Sequence, residues 1–340
     1  MIRLEVDDPR WVEFVERCPD ATPFHHPSWP RLIAECYRYR TFVLAHRDGH
    51  GQIIAGLPVV EVGGPLRRRR WVALPFTDQC SPLAPSEAAR AGLAEELDGA
   101  RRQAGIAQLE VRGDLARPGS QTHKAGVTHR LRLDNDPDTV YRRFKRLSVR
   151  KGIARAQGDG VVIRQGESGA ALTDAFYRLH LQTRRRLGVP VQPRRYFDLL
   201  WRHMIEPGQG FLLLAYDGTT PIAGAVFLAW NGTVIYKYGA SDARYLGLHP
   251  NHLVMWTAIR WGCEHGFAMF DFGRSDLDSK GLRQFKSGWA PEHDLVYTTL
   301  GDRPATPEGH RLRHAAGGMI RRCPPWVCRA VGELLYRYAA

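Results

Sequence analysis

The sequence predicts an α/β (α+β) protein made of two successive, similar domains, each a mixed central sheet flanked by helices. Three observations lead there. At 340 residues the chain is too long for one ordinary core and suits two domains. A composition of 44% hydrophobic and 24% charged residues is that of a folded chain without a long disordered stretch. Finally, a segment of the first half recurs in the second.

The repeat begins with Phe42-Val43-Leu44-Ala45-His46-Arg47-Asp48-Gly49 and Ile54-Ala55-Gly56, matched by Leu212-Leu213-Leu214-Ala215-Tyr216-Asp217-Gly218 and Ile222-Ala223-Gly224. Each copy reads as two apolar strands joined by a turn built on Asp-Gly, the sequence form of a β-hairpin. The second strands are expected over Leu57–Val62 and Ala225–Trp230. After the first hairpin follow a strand Trp71–Leu74, a loop Pro75–Cys80, a helix Ser86–Ala104 and a strand Ala107–Arg112. After the second follow a strand Val234–Tyr238, a loop Gly239–Asp242, a helix Pro250–His265 and a strand Ala268–Phe272. Pro250 and Gly266 stand where a helix best starts and stops.

Between the copies, Val140, Phe144, Leu147 and Ile153 predict one helix over Thr139–Ala156, with Arg142, Arg146 and Arg150 on another face at i, i+4, i+8. Like charges at that spacing oppose a helix, so an anion lying against Arg142, Arg146, Arg150 and Lys151 would account for them; a tolerated surface cost is the alternative. A further helix is expected over Ala170–Arg186, placing His180, Thr183 and Arg184 on one face. The expected domains are 1–135, then 136–300 with a basic helical lead-in 137–195, then a basic amphipathic tail 301–340. In that tail Trp326, Val327, Val331, Leu334, Leu335 and Tyr336 alternate with Arg321, Arg322, Arg329 and Arg337, a pattern that fits a membrane surface or docking on the second domain.

Charge and cysteines narrow the partners. The net charge is +13, and between Pro137 and Arg195 there are fourteen Lys or Arg against four acids, a local surplus that suits RNA, phosphate or a membrane surface. The N-terminus carries acids where a signal peptide needs bases, so a cytoplasmic, or membrane-peripheral, location is expected. The six scattered cysteines show no metal-ligand spacing and read as reduced thiols; no metal is expected.

Tyr236-Lys237-Tyr238-Gly239-Ala240-Ser241, Asp271-Phe272-Gly273-Arg274-Ser275 and Phe285-Lys286-Ser287-Gly288-Trp289, with Ser148–Ala156 and the repeat, resemble the Fem family of peptidoglycan bridge-forming aminoacyltransferases and related GNAT-fold acyltransferases, over roughly residues 20–300. The resemblance implies two tandem GNAT-like domains, an activated acyl donor, namely aminoacyl-tRNA, and an amine on a cell-envelope or secondary-metabolite precursor as acceptor. No covalently bound cofactor is implied. The coiled-coil insertion of some Fem proteins is missing, and the loop Gly239–Gly247 departs from the Arg-x-x-Gly-x-Gly/Ala pattern with which acyl-CoA-dependent relatives bind pyrophosphate. An acyl-CoA-dependent N-acyltransferase acting on an amino sugar or exopolysaccharide precursor is the first alternative. A non-catalytic RNA- or membrane-binding module is the second.

Direct acyl transfer to an amine needs a neutral amine, an oxyanion partner and aligned substrates, but no covalent nucleophile. The resemblance places Lys286 at the reaction centre, where it would stabilise the oxyanion or a donor phosphate, and Asp78 on the acceptor side, where a carboxylate would hold the ammonium and take its proton. Tyr236 and Tyr238 alternate along a strand and are expected on one face, to contact the acceptor or to pack in the core. Phe285 would seat the Lys286 loop. Asp271 and Arg274 are expected as an ion pair or as substrate contacts; His180 and Arg184 are weaker binding candidates.

Overall fold

The computed structural model describes residues 1–64, 67–115, 120–302, 317–318 and 320–336. They form two compact units, Met1–Val127 completed by the strand that follows His293, and Thr128–His293 completed by a C-terminal helix.

The first unit runs β1 (Ile2–Leu4), α1 (Pro9–Arg17), α2 (Ser28–Tyr37), β2 (Arg40–Arg47), β3 (Ile53–Gly64), β4 (Arg67–Val72), α3 (Glu87–Gln103) and β5 (Gln108–Val111). The Asp48 carboxylate closes the β2–β3 turn by accepting the amides of His50 and Gln52, both at 2.9 Å. β1, β2, β3 and β4 pair antiparallel in succession, and β5 joins β4 in parallel after the α3 crossover. Ser86 starts α3 by accepting the Ala89 amide at 3.1 Å, as an N-cap serine should. Helix α1 lies close on β3, because a Cβ on Gly56 would come within 2.5 Å of the buried Trp11 ring.

The second unit repeats this plan. After β6 (Gln121–Arg132) and the short helices α4 (Pro137–Arg142) and α5 (Lys151–Gly158) come β7 (Val162–Gln165), α6 (Tyr177–Leu187), α7 (Arg194–Leu200), β8 (Gly210–Asp217), β9 (Thr220–Trp230), β10 (Thr233–Ser241), α8 (Pro250–Glu264) and β11 (Met269–Asp271). β7, β8, β9 and β10 pair antiparallel in succession, and β11 joins β10 in parallel after α8. The hairpin, strand, helix, strand order read from sequence is therefore present twice with the same pairing. Helix α8 is buried nearly all round, through Leu253, Val254, Met255, Trp256, Ile259 and Cys263. It packs with Phe144, Phe211, Phe227, Phe270, Phe272 and Trp289 into the core of this unit.

Three expectations change. The compact units do not divide at 135 and 300. Arg130–Arg132 of β6 pair with Asp271–Met269, within the second unit, whereas Thr298–Gly301 of β12 (Glu292–Gly301) pair with Val111–Gln108, within the first. Each unit thus takes one strand from across the expected boundary. Second, the helix expected over Thr139–Ala156 is interrupted. α4 ends at Arg142, Lys145 is extended at ψ 121°, and a π-helical turn Arg146–Arg150 then leads into α5, so Arg142 is off the face that carries Arg146 and Arg150. The break lets Phe144 turn into the core, where its ring lies 5.0 Å from Trp289 and 5.9 Å from Trp256. Third, the helix expected from Ala170 opens with a π-helical turn, Ala171–Phe176, before α6, which stops at Gly188 in the left-handed region.

Of the tail, α9 being the helix Lys280–Lys286, α10 (Pro325–Leu335) is the described element; Arg337 and most of 301–340 lie outside the described residues. α10 is docked within the second unit, where the Arg185 guanidinium donates to Cys323 O at 2.7 Å and Gly332 lies against the Val191 backbone.

Candidate active site

The end of β11 and helix α9 build the site. Asp271 accepts three hydrogen bonds, from Thr128 Oγ1 at 2.6 Å, the Gly273 amide at 2.8 Å and Arg130 Nε at 3.0 Å. They fix the turn through Gly273, whose φ of +66° is left-handed and favours glycine. The turn presents two carbonyls to the last residue of α9. Lys286 is 2% exposed, and its Nζ donates to Gly273 O at 2.8 Å and Arg274 O at 3.2 Å. A buried ammonium is costly unless such acceptors meet it. Its Nζ also lies 5.9 Å from the centroid of the Tyr236 ring, within cation–π range. Phe285 stacks edge-on against Trp289 and His252 and so seats the loop.

The ion pair expected between Asp271 and Arg274 is not formed. Asp271 binds Arg130 instead, and Arg274 reaches Asp276 at 2.8 Å. Local spacing suggested the first pair, but the left-handed turn at Gly273 separates the two side chains and strand β6 supplies the partner.

Tyr236 and Tyr238 do not share a face. Tyr236 stands opposite Phe227 and Tyr238 opposite Val226, a register shift that makes Lys237 the extra residue of a β-bulge. Tyr236 turns to Phe227 and Lys286, and burial pushes its phenol up to about 12, so the hydroxyl is neutral. Tyr238 turns to the α6–α7 side, where its hydroxyl meets that of Tyr196 at 2.9 Å. The Tyr236 hydroxyl lies directly over Gly239, in the space a Cβ there would fill. Gly239→Ala is expected to destabilise the protein by about 1–3 kcal/mol, as overpacking does, and to lower activity by displacing Tyr236. Urea unfolding checks it; unchanged stability and activity would show that the ring has room to move.

His180 and Arg184 serve the scaffold in this arrangement. The His180 ring is buried between Phe176, Phe197 and Tyr238 with Nε2 2.8 Å from Gln192 Oε1, and burial lowers its pKa to about 3, leaving it neutral. Arg184 donates from Nε and Nη2 to Pro190 O, closing the turn after α6. Arg142 reaches Thr139 Oγ1 at 2.8 Å, whereas Arg146 and Lys151 are exposed beside Leu147, which is 84% exposed.

Asp78 belongs to the first unit. Its carbonyl accepts from Tyr297 Oη at 2.8 Å, and the loop before it holds Leu74 and Phe76 at φ +50° and +67°. Two non-glycine residues in the left-handed region within three positions store strain, of about 1–3 kcal/mol each, of the kind found where a loop is held for function.

Sequence reasoning missed Thr128, His129 and Arg130. His129 is fully buried, neither ring nitrogen has a hydrogen-bond partner among the described residues, and burial followed by the Lys286 charge lowers its pKa. The nearest acid is Glu292, at 3.8 Å, which is itself held by Arg283 through two bonds of 2.8 and 2.9 Å. No local motif marks these residues; only their alternation on β6, next to β11, would have pointed to them.

Known proteins resemble this chain in sequence and in fold. The model of an acetyltransferase (GNAT) domain matches residues 143–287, which include Tyr236, Asp271 and Lys286. A lipid II:glycine glycyltransferase of Staphylococcus aureus is 32% identical over 74 residues, which are 20% of this chain and 18% of that protein. The chain thus spans less than a fifth of the length of the curated relatives it matches. The crystal structure of FemX superposes with a TM-score of 0.68 at 16% identity, over 88% of this chain and 97% of that one. L-PGS from Bacillus licheniformis gives 0.57 at 14% identity, covering 95% and 100%. A tandem GNAT protein from the clavulanic acid biosynthesis pathway gives 0.52 at 12% identity, covering 90% and 99%. The duplicated pairing order, together with these likenesses, makes the chain a protein of the GNAT fold, built of two tandem GNAT-like domains.

Proposed function

We propose that the protein is an aminoacyltransferase that moves an aminoacyl group from aminoacyl-tRNA to an amine of a cell-envelope precursor, forming an amide. The observation that carries this reading is the buried Lys286 ammonium, fixed by two backbone carbonyls in the part of the chain that matches the acetyltransferase model. In a site of low dielectric a fixed cation stabilises the oxyanion of a tetrahedral intermediate far more than it would in water, and without reorganising as the charge develops. The neutral acceptor amine attacks the ester carbonyl and forms a C–N bond; as the oxyanion collapses the C–O bond to the ribose breaks, and the proton given up by the attacking nitrogen goes to the ribose oxygen, which leaves as the tRNA hydroxyl.

The turn after β10 favours this donor over acyl-CoA. Ala243–Leu248 form a 3-10 helix capped by Asp242, His249 follows in the left-handed region, and Pro250 occupies the first turn of α8. The amides of Arg244, Tyr245 and His249 in this turn already donate to Asp242 and Leu246, so they are not offered to a pyrophosphate. Similarity over 74 residues to a protein named for lipid II supports an envelope acceptor. No helix among the described residues is long and apolar enough to cross a membrane. Trp326, 71% exposed on α10 between Arg322 and Arg329, supports a peripheral membrane contact on the cytoplasmic side.

The test is amide formation from a panel of charged tRNAs and CoA thioesters with amine acceptors. Transfer from a charged tRNA supports the reading; transfer confined to a CoA thioester replaces it with an acyl-CoA-dependent N-acyltransferase, and none from either leaves a binding module.

A further inference from the structure

A second concave site lies in the same unit, walled by β6, by Arg143–Lys145 and by Ser287–Pro291, the segment that follows Lys286. Its volume is about 610 Å³, and Arg130, Arg132, Arg143, Lys145, Trp289 and His293 line it. The Lys286 ammonium is turned to Gly273 and Arg274, which are not part of this lining, so the chemistry proposed above makes no use of the cleft.

Its charge is unbalanced. Arg130 is matched by Asp271 at 3.0 Å and Arg143 by Asp134 at 3.6 Å. Arg132 and Lys145 are exposed, and neither side chain has an acidic partner among the described residues. Two net positive charges therefore remain, with His293 at the rim. The wall is rigid where they sit. The Lys145 amide donates to Gly288 O at 3.1 Å, and a Cβ on Gly288 would fall within 2.7 Å of Val149, so the basic segment and the loop are closely packed. An independent sign of a ligand is Trp289. It is 3% exposed, lines the cleft, and its indole N–H is buried without a hydrogen-bond partner. Buried donors are nearly always satisfied, so an unmet indole N–H on a residue of this wall is unusual.

We propose that this cleft binds a phosphate group. Two surplus cations match a phosphate dianion or a pair of diester charges. Arginine forks pair bidentately with phosphate oxygens, and the Lys145 ammonium adds a point charge beside them. The phosphates come either from an RNA backbone or from a small phosphorylated ligand, and both present the same oxygens. The assignment stands whether or not the protein transfers an acyl group.

The experiment titrates the full chain at low salt with inorganic pyrophosphate and, separately, with a short single-stranded RNA, following heat and tryptophan fluorescence. The double variant Arg132→Glu/Lys145→Glu is compared with Arg178→Glu/Arg186→Glu, which makes the same charge change at exposed sites outside the cleft, and thermal melts confirm that both fold. The cleft variant is expected to bind at least tenfold more weakly and the control within twofold of wild type. For RNA, the cleft variant should also lose about two units of the slope of log K against log salt. Wild-type binding of pyrophosphate alone identifies a small ligand, and binding of RNA in competition with pyrophosphate identifies a backbone; both support the site. Equal weakening in the two double variants, or no binding of either probe by wild type, overturns it.

Discussion

Replacing Lys286 by methionine is expected to lower kcat by about 10²–10³-fold, the loss typical when one preorganised oxyanion partner is removed. Methionine keeps most of the side-chain volume but removes the charge and both hydrogen bonds to the turn carbonyls, so the apolar packing should survive at some cost in stability. Because the ammonium acts on charge that develops during reaction, KM for donor and acceptor should change little, and kcat/KM should fall with kcat. Lys286→Arg should not rescue turnover, since a planar guanidinium does not fit a space that holds a point charge between two carbonyls at 2.8 and 3.2 Å. Steady-state kinetics on variants with wild-type circular dichroism decide the matter. A methionine variant within fivefold of wild type would show that Lys286 only ties the turn to α9.

Asp271→Ala should produce the largest loss of stability among the polar residues of the site. The carboxylate satisfies the Thr128 hydroxyl, the Gly273 amide and the Arg130 guanidinium at once, and two of these donors are buried. Truncation leaves the Gly273 amide without this acceptor and Thr128 with only its longer bond to Gly273 O at 3.3 Å, at an expected cost of about 1–3 kcal/mol, most of it from these buried donors rather than from the half-exposed Arg130. Activity should fall as well, because the Gly273 carbonyl that Asp271 helps to place is the closer acceptor of Lys286. Asp271→Asn keeps an acceptor for two of the three donors and should lie between the variant and wild type. Urea denaturation measures both; an alanine variant within 0.5 kcal/mol of wild type, on the scale of a neutral surface change, would mean that the turn is held without Asp271.

Those two residues also show how far the sequence could be read. The duplicated hairpins were legible because their signals are local: apolar strands, Asp-Gly turns, and proline and glycine at the ends of α8. Lys286 was legible through the pattern around it. What β6 and β12 do was not, since nothing in Thr128-His129-Arg130 announces pairing with residues 269–271, far along the chain. For the same reason Asp271 was assigned a neighbour in sequence, Arg274, in place of its partner in space. The bulge at Lys237 escaped because strict alternation assumes an unbroken register, and one extra residue sends Tyr236 and Tyr238 to opposite faces. The Thr139–Ala156 helix was over-extended because helical periodicity survives the break that turns Phe144 into the core, and only the packing of its ring on Trp256 and Trp289 shows why the break is there.

The proposed reaction of this tandem GNAT-like protein is the transfer of an aminoacyl group carried by tRNA. Its most direct measurement supplies purified protein with tRNA charged with a radiolabelled amino acid and an amine-bearing envelope precursor, and follows the label into a base-stable product. The ester link to tRNA is base-labile and the new amide is not, so the product reports transfer rather than hydrolysis. Wild-type protein is expected to place label in the amide, and Lys286→Met almost none. Label that stays on tRNA across the panel of amino acids, while a CoA thioester donates to the same acceptor, would contradict it.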